Sequence, residues 1–319
     1  VSAFVYAGDL QALHFCTGNP GGPGHNVVKA RYISAAPPEK AFDLVVNNLR
    51  VGRAKFIPSR LADNRLLVEN DPEYENRLRM VGTPELVRAW LAGDWDIVAG
   101  GMFDDVWRRD LHVISPFKIP ASWTVYRALD WGSARPFSVG WWAVCDGTVS
   151  PGGRHYPRGT LIRIAEWYGC TAKPNEGLRM FASDVAKGII EREKQMGLKV
   201  QPGPADSSIW DNTGTISVYT EMKKSGVDWK PANKSPGSRV NGWNLIRKML
   251  AAATAERLEY PSIFVFNNCL KFIELFPVTQ RDEKLADDVD TKSEDHIQDE
   301  MRYMVLSIQS HGRTARNVM

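Results

Sequence analysis

Cysteine is scarce in this chain of 319 residues: Cys16, Cys145, Cys170 and Cys269 are all there is, and no two of them form a C-x-x-C pair. That spacing offers neither a zinc site nor a disulfide framework, and a reducing compartment suits it best. Long apolar runs are missing as well. None approaches the roughly 20 residues that span a bilayer, and no basic-then-apolar leader opens the chain at Val1, so no membrane partner is expected. Nor does one sign of charge dominate: 40 Lys and Arg against 37 Asp and Glu leave a formal +3, which permits contact with nucleic acid without demanding it. A phosphate-binding Gly-x-x-x-x-Gly-Lys-Ser/Thr is also absent. Thr17-Gly-Asn-Pro-Gly-Gly-Pro-Gly24 is dense in turn formers, but no Gly-Lys-Ser/Thr follows it, and it reads as a surface turn.

What the chain has is apolar material: 43% hydrophobic residues and eleven tryptophans, enough for a sizeable core, over a length that favours two domains. In the first, residues 1–110, Ala12-Leu-His-Phe-Cys16 reads as a buried strand, residues Glu39 to Leu49 as a helix and Arg53 to Ile57 as a strand. Asp71-Pro-Glu-Tyr74 opens a helix with Pro72 at its first position, and Pro84 to Leu91 forms another that Gly93 stops. The arginines and lysines scattered between Arg50 and Arg88 suit either a DNA-facing surface or solvated helix faces, and the solvated face is the preferred reading. Residues 108 to 123, with two prolines, read as a linker to a second domain over residues 120–319.

The second domain carries clearer periodicity. Thr124 to Asp130 and Phe137 to Val144 are strands of a hairpin around Gly132-Ser-Ala-Arg-Pro136, and Thr160 to Tyr168 is a third strand. A helix over Glu176 to Met196 ends at Gly197 and feeds a strand at Leu198-Lys-Val-Gln201, after which Asp206 follows. Helices at Val218 to Lys224, Gly242 to Ala253 and Leu270 to Leu275 alternate with strands at Asp228 to Pro231 and Ile263 to Phe266. Hairpin strands first and alternation afterwards predict an α/β fold, a mixed sheet flanked by helices. The last helix has Thr291-x-x-Glu294 as a capping box and Ile297, Met301, Met304, Val305 and Ile308 as its core face. Asp295, Asp299 and Arg302 fall on the side roughly opposite Ile297, with His296 on the flank between.

Three acidic stations stand out: Asp130 at a strand end, Asp206 after a later strand, and Glu294-Asp-His-Ile-Gln-Asp299 at the terminal helix. Each has an ordinary use, since Asp130 before Gly132 suits a turn, Asp206 before Ser207 and Ser208 suits a helix cap, and Asp295 and Asp299 suit a wet helix face. Together, in that order, they match the carboxylates with which an RNase H-like fold holds divalent metal ions. Two such ions about 4 Å apart can lower the pKa of a water and shield a leaving oxygen in phosphodiester hydrolysis. Mg²⁺ takes oxygen ligands and needs one or two protein carboxylates; Mn²⁺ tolerates an imidazole such as His296 better.

Leu129-Asp-Trp-Gly132, Ala205-Asp206, Asp288-Val-Asp-Thr291 and Glu294-Asp-His-Ile-Gln-Asp299-Glu-Met-Arg-Tyr303 resemble the nuclease domain of tailed-bacteriophage terminase large subunits, motors that package and cut viral DNA. Thr17-Gly-Asn-Pro20 resembles the coupling motif that ends the packaging ATPase. Phe56-Ile-Pro-Ser-Arg-Leu-Ala-Asp-Asn64, Asp71-Pro-Glu-Tyr74 and Gly93-Asp-Trp-Asp96 resemble the segment that joins ATPase to nuclease. The resemblance implies an RNase H-like nuclease domain after a remnant of the ATPase domain and linker. It implies a metal-dependent endodeoxyribonuclease using Mg²⁺ or Mn²⁺, with Asp130, Asp206 and Asp299 as catalytic metal ligands and Asp295 and His296 as further ligand candidates. Asp211 and Glu166 are near enough in sequence to be candidates for supporting that site, although ordinary solvated acids are the better reading of both, and Asp288 and Asp290 shape the loop before the helix. The implied substrate is concatemeric double-stranded viral DNA, with the portal protein and small terminase subunit as partners in a host cytoplasm, the gene being phage or prophage encoded. The P-loop and its acidic strand are not in this sequence, so the chain alone is not expected to hydrolyse ATP; it looks like the C-terminal portion of a motor or a shortened product. Other readings are an RNase H-like nuclease of resolvase or transposase type, which would not carry the upstream motifs, and a non-catalytic piece that docks DNA or the portal.

Overall fold

The computed structural model describes residues 2–3, 14–20, 25–46, 49–81, 84–95, 101–212, 216–282, 285, 287–291 and 294–316. Two compact units, Val1–Ala99 and Gly100–Met319, divide the chain. In the first, the described residues between 39 and 49 form no helix. Ala41–Val46 is a strand paired antiparallel with Leu49–Lys55, because Phe42 and Leu44 alternate with exposed neighbours at period two and Val45-Val46 are β-branched. His14–Phe15 is a strand but an exposed one, with Phe15 72% accessible, where burial was expected; residues 12–13 and 21–24, the rest of the expected strand and loop, lie outside the described residues. The helix after Asp71 runs Tyr74–Val81, so Pro72 sits in the turn before it. Pro84–Ala92 ends where expected, at Gly93 with φ +63°.

The described residues of the second unit form seven strands: β1 Val113–Ile114, β2 Thr124–Asp130, β3 Ser138–Val144, β4 Leu161–Tyr168, β5 Val200–Ala205, β6 Lys230–Pro231 and β7 Ile263–Phe266. Their order across the sheet is β6-β5-β2-β3-β4-β7-β1, with β3 antiparallel to both neighbours and the other pairings parallel. This is the RNase H-like mixed sheet expected. The linker read over residues 108 to 123 is instead partly woven into it: Arg109–His112 is a helical turn with His112 fully buried, and β1 pairs with β7 at the sheet edge.

Among the described residues, five further helices accompany the sheet: α1 Ala182–Met196, α2 Val218–Lys224, α3 Ser238–Ala252, α4 Leu270–Leu275 and α5 His296–Arg316. α1 starts six residues later than its periodicity suggested. Residues 177–179 are tied to the hairpin turn by backbone bonds from Gly177 to Ala134 and from Arg179 to Ser133, so they cannot join the helix. α5 begins at His296, and residues 292–293 of the expected capping box lie outside the described residues. Its apolar stripe is buried as expected, but Gln298 and Glu300 on its flanks are buried too, and the opposite side is not wet at Arg302, which is also buried. Packing against α3 covers it, with Arg302 lying over the Trp243 ring.

Successive residues on β3 face opposite sides of the sheet, and each of the two tryptophans there donates to a glutamate on its own side. Trp141 Nε1 bonds Glu193 of α1 at 3.0 Å, and Trp142 Nε1 bonds Glu300 of α5 at 2.6 Å. Glu300 also pairs with Arg163 of β4, both fully buried, directly over Gly140, where a Cβ would run into both charged groups. Replacing one partner strands the other charge in the core, at about 3–5 kcal/mol, whereas replacing both by apolar residues removes the desolvation cost as well. Urea denaturation should therefore show Arg163→Met and Glu300→Leu each strongly destabilised and the double variant recovering most of the loss; simple addition of the two losses would refute the pairing.

A second constraint lies between β2 and β5. Arg127 pairs with Pro202 but Leu129 pairs with Ala205, so β5 carries one extra residue there. Such a bulge tolerates Pro202 and Pro204 inside a sheet, and this is why the strand runs on to Ala205 although Pro-Gly-Pro reads as its end. The extra residue also shifts Asp206 into register with Asp130, on the same face, with the Asp206 N–H donating to the Leu129 carbonyl at 3.0 Å. At Gly203 a Cβ would collide with the Arg127 carbonyl. Gly203→Ala should cost about 1–3 kcal/mol, as overpacking does, and move the Asp206 backbone amide resonance in an NMR spectrum; an unshifted Asp206 would mean the bulge does not depend on Gly203.

Candidate active site

The carboxyl ends of β2 and β5 present Asp130 and Asp206 side by side, and α5 is laid across them. His296, Glu300 and Tyr303 recur at i, i+4 and i+7, so they share one face of α5; with Glu300 fixed by Arg163 and Trp142, the other two are brought over the strand ends. His296 Nδ1 lies 3.0 Å from Asp130 Oδ2, and its Nε2 lies 3.2 Å from Asn175 Oδ1. The Tyr303 hydroxyl lies 3.4 Å from Asp130 Oδ1 and 3.2 Å from Asp206 Oδ2, so one O–H serves two carboxylates. Asp206 is held further by Lys234 Nζ at 2.7 Å and by the Ser208 N–H at 2.7 Å, the helix-cap contact expected of it.

The remaining acids gather around a guanidinium. Arg239 donates Nε to Asp288 at 2.6 Å, Nη1 to both oxygens of Asp299 at 3.2 and 3.1 Å, and Nη2 to Asp295 at 3.5 Å; Arg302 Nε adds a bond to Asp299 at 3.1 Å. Asp295 and Asp299 thus lie in a cluster beside the Asp130–Asp206 pair, close enough that Asp299 acts electrostatically on Asp130. Asp288 takes part in this cluster, accepting from Trp243 Nε1 at 2.8 Å as well. Glu166 is elsewhere, capping α4 through the N–H groups of Lys271 and Phe272 at 2.6 and 3.1 Å, and Asp211 closes the helical turn Ser207–Trp210.

Burial and like charge raise proton affinity here. Asp130 is pushed up to about 7, first by burial and then by the charges of Asp299 and Asp206, against the opposing His296. Asp295 rises to about 6, by burial and by Asp299. For His296, burial pushes the imidazolium down, but the bond to Asp130 and the nearby acids outweigh it, so the proton is held above the usual histidine range. Asp206 goes the other way: burial raises it, and Lys234 and the Ser208 N–H more than offset that. Arg239 is held above its ordinary value, its burial outweighed by Asp299, Asp288 and Asp295. Burial and the three carboxylates around it keep the Tyr303 phenol protonated, and therefore a donor.

Among the described residues no group of three His, Cys, Asp or Glu side chains is arranged to hold a metal ion. Asp130, Asp206 and His296 meet through hydrogen bonds, and Asp295 and Asp299 face Arg239. Four participants were not picked out from the sequence: Asn175, Lys234, Arg239 and the Tyr303 hydroxyl. The i+7 spacing of Tyr303 from His296 is a signal that sequence carries. Lys234 and Arg239 lie in and beside a Ser/Pro/Gly stretch that looks like any solvated loop. No disulfide links the four cysteines, and among the described residues no helix is long and apolar enough to cross a membrane.

No family model matches the sequence, and no curated protein matches it. Solved structures do. The large terminase from a thermophilic bacteriophage, in complex with ADP, superposes at TM-score 0.50 and 17% identity, covering 91% of this chain and 61% of that one. The same phage protein in complex with ATP-gamma-S gives TM-score 0.50 and 17% identity over 91% and 62%. The nuclease domain of the P22 large terminase gives TM-score 0.46 and 17% identity over 66% of this chain and 96% of its own. The chain spans about three fifths of the thermophilic phage protein's length, and over nine tenths of its own length it has the fold of that large terminase.

Proposed function

We propose that the unit Gly100–Met319 is a divalent-metal-dependent endonuclease of terminase type, in which Asp130 and Asp206 are the principal metal ligands. The observation that carries this reading is that buried Asp130 and half-buried Asp206 stand side by side at the ends of adjacent parallel strands, under the terminal helix. Its donor set fits a hard cation. The oxygens are carboxylates, Asp130 retains its proton to about 7 because it is buried and has Asp299 and Asp206 as anionic neighbours, and Mg²⁺ needs only one or two protein carboxylates, filling its other positions with water. The absence of a three-donor cluster among the described residues is therefore no obstacle. When bound, a pair of such ions lowers the pKa of a water and shields charge on the leaving oxygen.

The chain's own residues have distinct tasks in this reading. His296 has both ring nitrogens engaged, so it orients Asp130 and carries the proton that Asp130 gives up. Tyr303 spaces the Asp130 and Asp206 carboxylates by donating between them. Asp299 and Asp295, committed to Arg239, join a metal site only when that guanidinium lets go. By the fold likeness and the sequence motifs, the substrate is double-stranded concatemeric viral DNA cut during genome packaging, with the portal protein and small terminase subunit as partners in the host cytoplasm. With Mn²⁺ or Mg²⁺, supercoiled plasmid should be nicked by the wild-type chain and left intact by Asp130→Asn and Asp206→Asn. His296→Gln should slow nicking by roughly 10–100-fold, as loss of a ligand-orienting partner does. Nicking at the wild-type rate by Asp130→Asn would sink the proposal.

A pH effect follows for the metal-free protein. Asp130 binds its proton more tightly folded, at about 7, than unfolded, at about 3.9. The folded state therefore holds more protons in that window, and stability falls as pH rises through it. His296, also raised, loses its contribution in the same direction. In EDTA, the melting temperature should decline from about pH 5 to about pH 7.5 in the wild type and decline less in Asp130→Asn; equal slopes would show that Asp130 does not carry the effect.

A further inference from the structure

Two of the cations that quiet the acidic cluster come from one short stretch. Ala232 is buried and anchored by its N–H to the Ala205 carbonyl at 2.9 Å, next to Asp206; Ser238 is buried at the start of α3; and residues 233–237 between them are exposed. The strap is shaped by its own contacts, the Ser235 N–H to Asn233 Oδ1 at 3.0 Å and a left-handed Gly237 at φ +77°. From it Lys234 reaches Asp206, with its ammonium 5.7 Å from the Tyr303 ring centre, and from its far end Arg239 reaches Asp288, Asp295 and Asp299. The strap therefore touches one carboxylate of the strand pair and both acids at the start of the terminal helix.

These cations occupy the oxygens that a metal would need. Asp206 Oδ1 and both oxygens of Asp299 are already bound, so an ion entering at those oxygens competes with Lys234 or Arg239. Neither side chain is sealed in: the Lys234 and Arg239 side chains are 41% and 28% exposed. Once displaced they remain tethered at the rim of the site as positive charges, where a phosphodiester backbone must pass to reach Asp130 and Asp206. Lysine and arginine are the side chains that bind backbone phosphate, by charge and by forked hydrogen bonding respectively.

We infer that the strap is a cation relay: Lys234 and Arg239 hold the carboxylates when no divalent ion is present and pass to DNA phosphates when one is. This rests on the metal-nuclease reading above. In the relay, no bond other than ion pairs and hydrogen bonds is made or broken. Its consequence is that removing the strap's charge has opposite effects on the two ligands, strengthening metal binding and weakening DNA binding.

The test titrates Mn²⁺ by electron paramagnetic resonance and measures a short DNA duplex by fluorescence anisotropy in Ca²⁺ over a salt series, on the full chain. Lys234→Met, an exposed change expected to fold, should bind Mn²⁺ roughly tenfold more tightly, since a repelled like charge has gone, and bind the duplex more weakly with a salt slope smaller by about one. Arg239→Gln should do the same provided its melting curve is cooperative; if it is not, Lys234→Met alone decides. If wild-type Mn²⁺ binding is lost in Asp130→Asn but unchanged or weakened in Lys234→Met, the relay is overturned and the metal reading stands. Unchanged duplex affinity in Lys234→Met also overturns it. Absence of any Asp130-dependent Mn²⁺ binding overturns both readings together.

Discussion

The buried ion pair between Arg163 and Glu300 sets the geometry on which the rest of the second unit depends. A helix lying on an apolar sheet can rotate about its axis at little cost, because methionine and isoleucine contacts are non-directional. A charge pair in the core cannot rotate, since losing its partner would leave an unpaired buried charge. Glu300 is bound to Arg163 and to Trp142 and sits over a glycine that leaves room for the pair. With that residue held, His296 one turn before and Tyr303 one turn after have a single place to go, the ends of the strands that carry Asp130 and Asp206.

Those ends concentrate negative charge in a region of low solvent access, and much of the local structure answers that problem. Lys234 and the Ser208 N–H take Asp206, Arg239 spreads over Asp288, Asp295 and Asp299, and Asp130 is left with a shared proton and His296. The distribution is uneven, and Asp130 is the carboxylate of this group least compensated by fixed cations. Under the proposed function, a hard divalent ion held by Asp130 and Asp206 would offset that deficit, since such an ion needs few protein carboxylates and keeps water in its shell.

Much of this was legible in the chain. Strands such as Thr124–Asp130 and Ile263–Phe266 and helices such as Val218–Lys224 and Leu270–Leu275 lie where apolar period and turn residues put them. Local pattern failed where distant backbone intervened: residues 176–181 look helical, but Gly177 and Arg179 are bonded to the hairpin turn, and the run after Asp110 looks like a linker but pairs at the sheet edge. The span after Glu39 failed for a different reason, a period-two alternation mistaken for a helical one. Arg302 and Glu300 belong to the charged residues that a helix normally shows to water, and their burial follows from α3 and the sheet enclosing both sides.

The sequence by itself determined which chemistry is available: paired aspartates at strand ends, a terminal helix with His296, Asp299 and Tyr303 at helical spacing, no thiol pair and no phosphate loop. These are properties of residue type and local period, and they need no partner to be read. Tertiary structure alone decided which of these groups meet. The extra residue in Val200–Ala205 brings Asp206 level with Asp130, the Arg163–Glu300 pair sets the rotation of the last helix, and the strap from Ala232 to Arg239 places two cations on the acids. Each depends on contacts between segments tens of residues apart, where register, rotation and charge compensation are settled by packing and not by local preference.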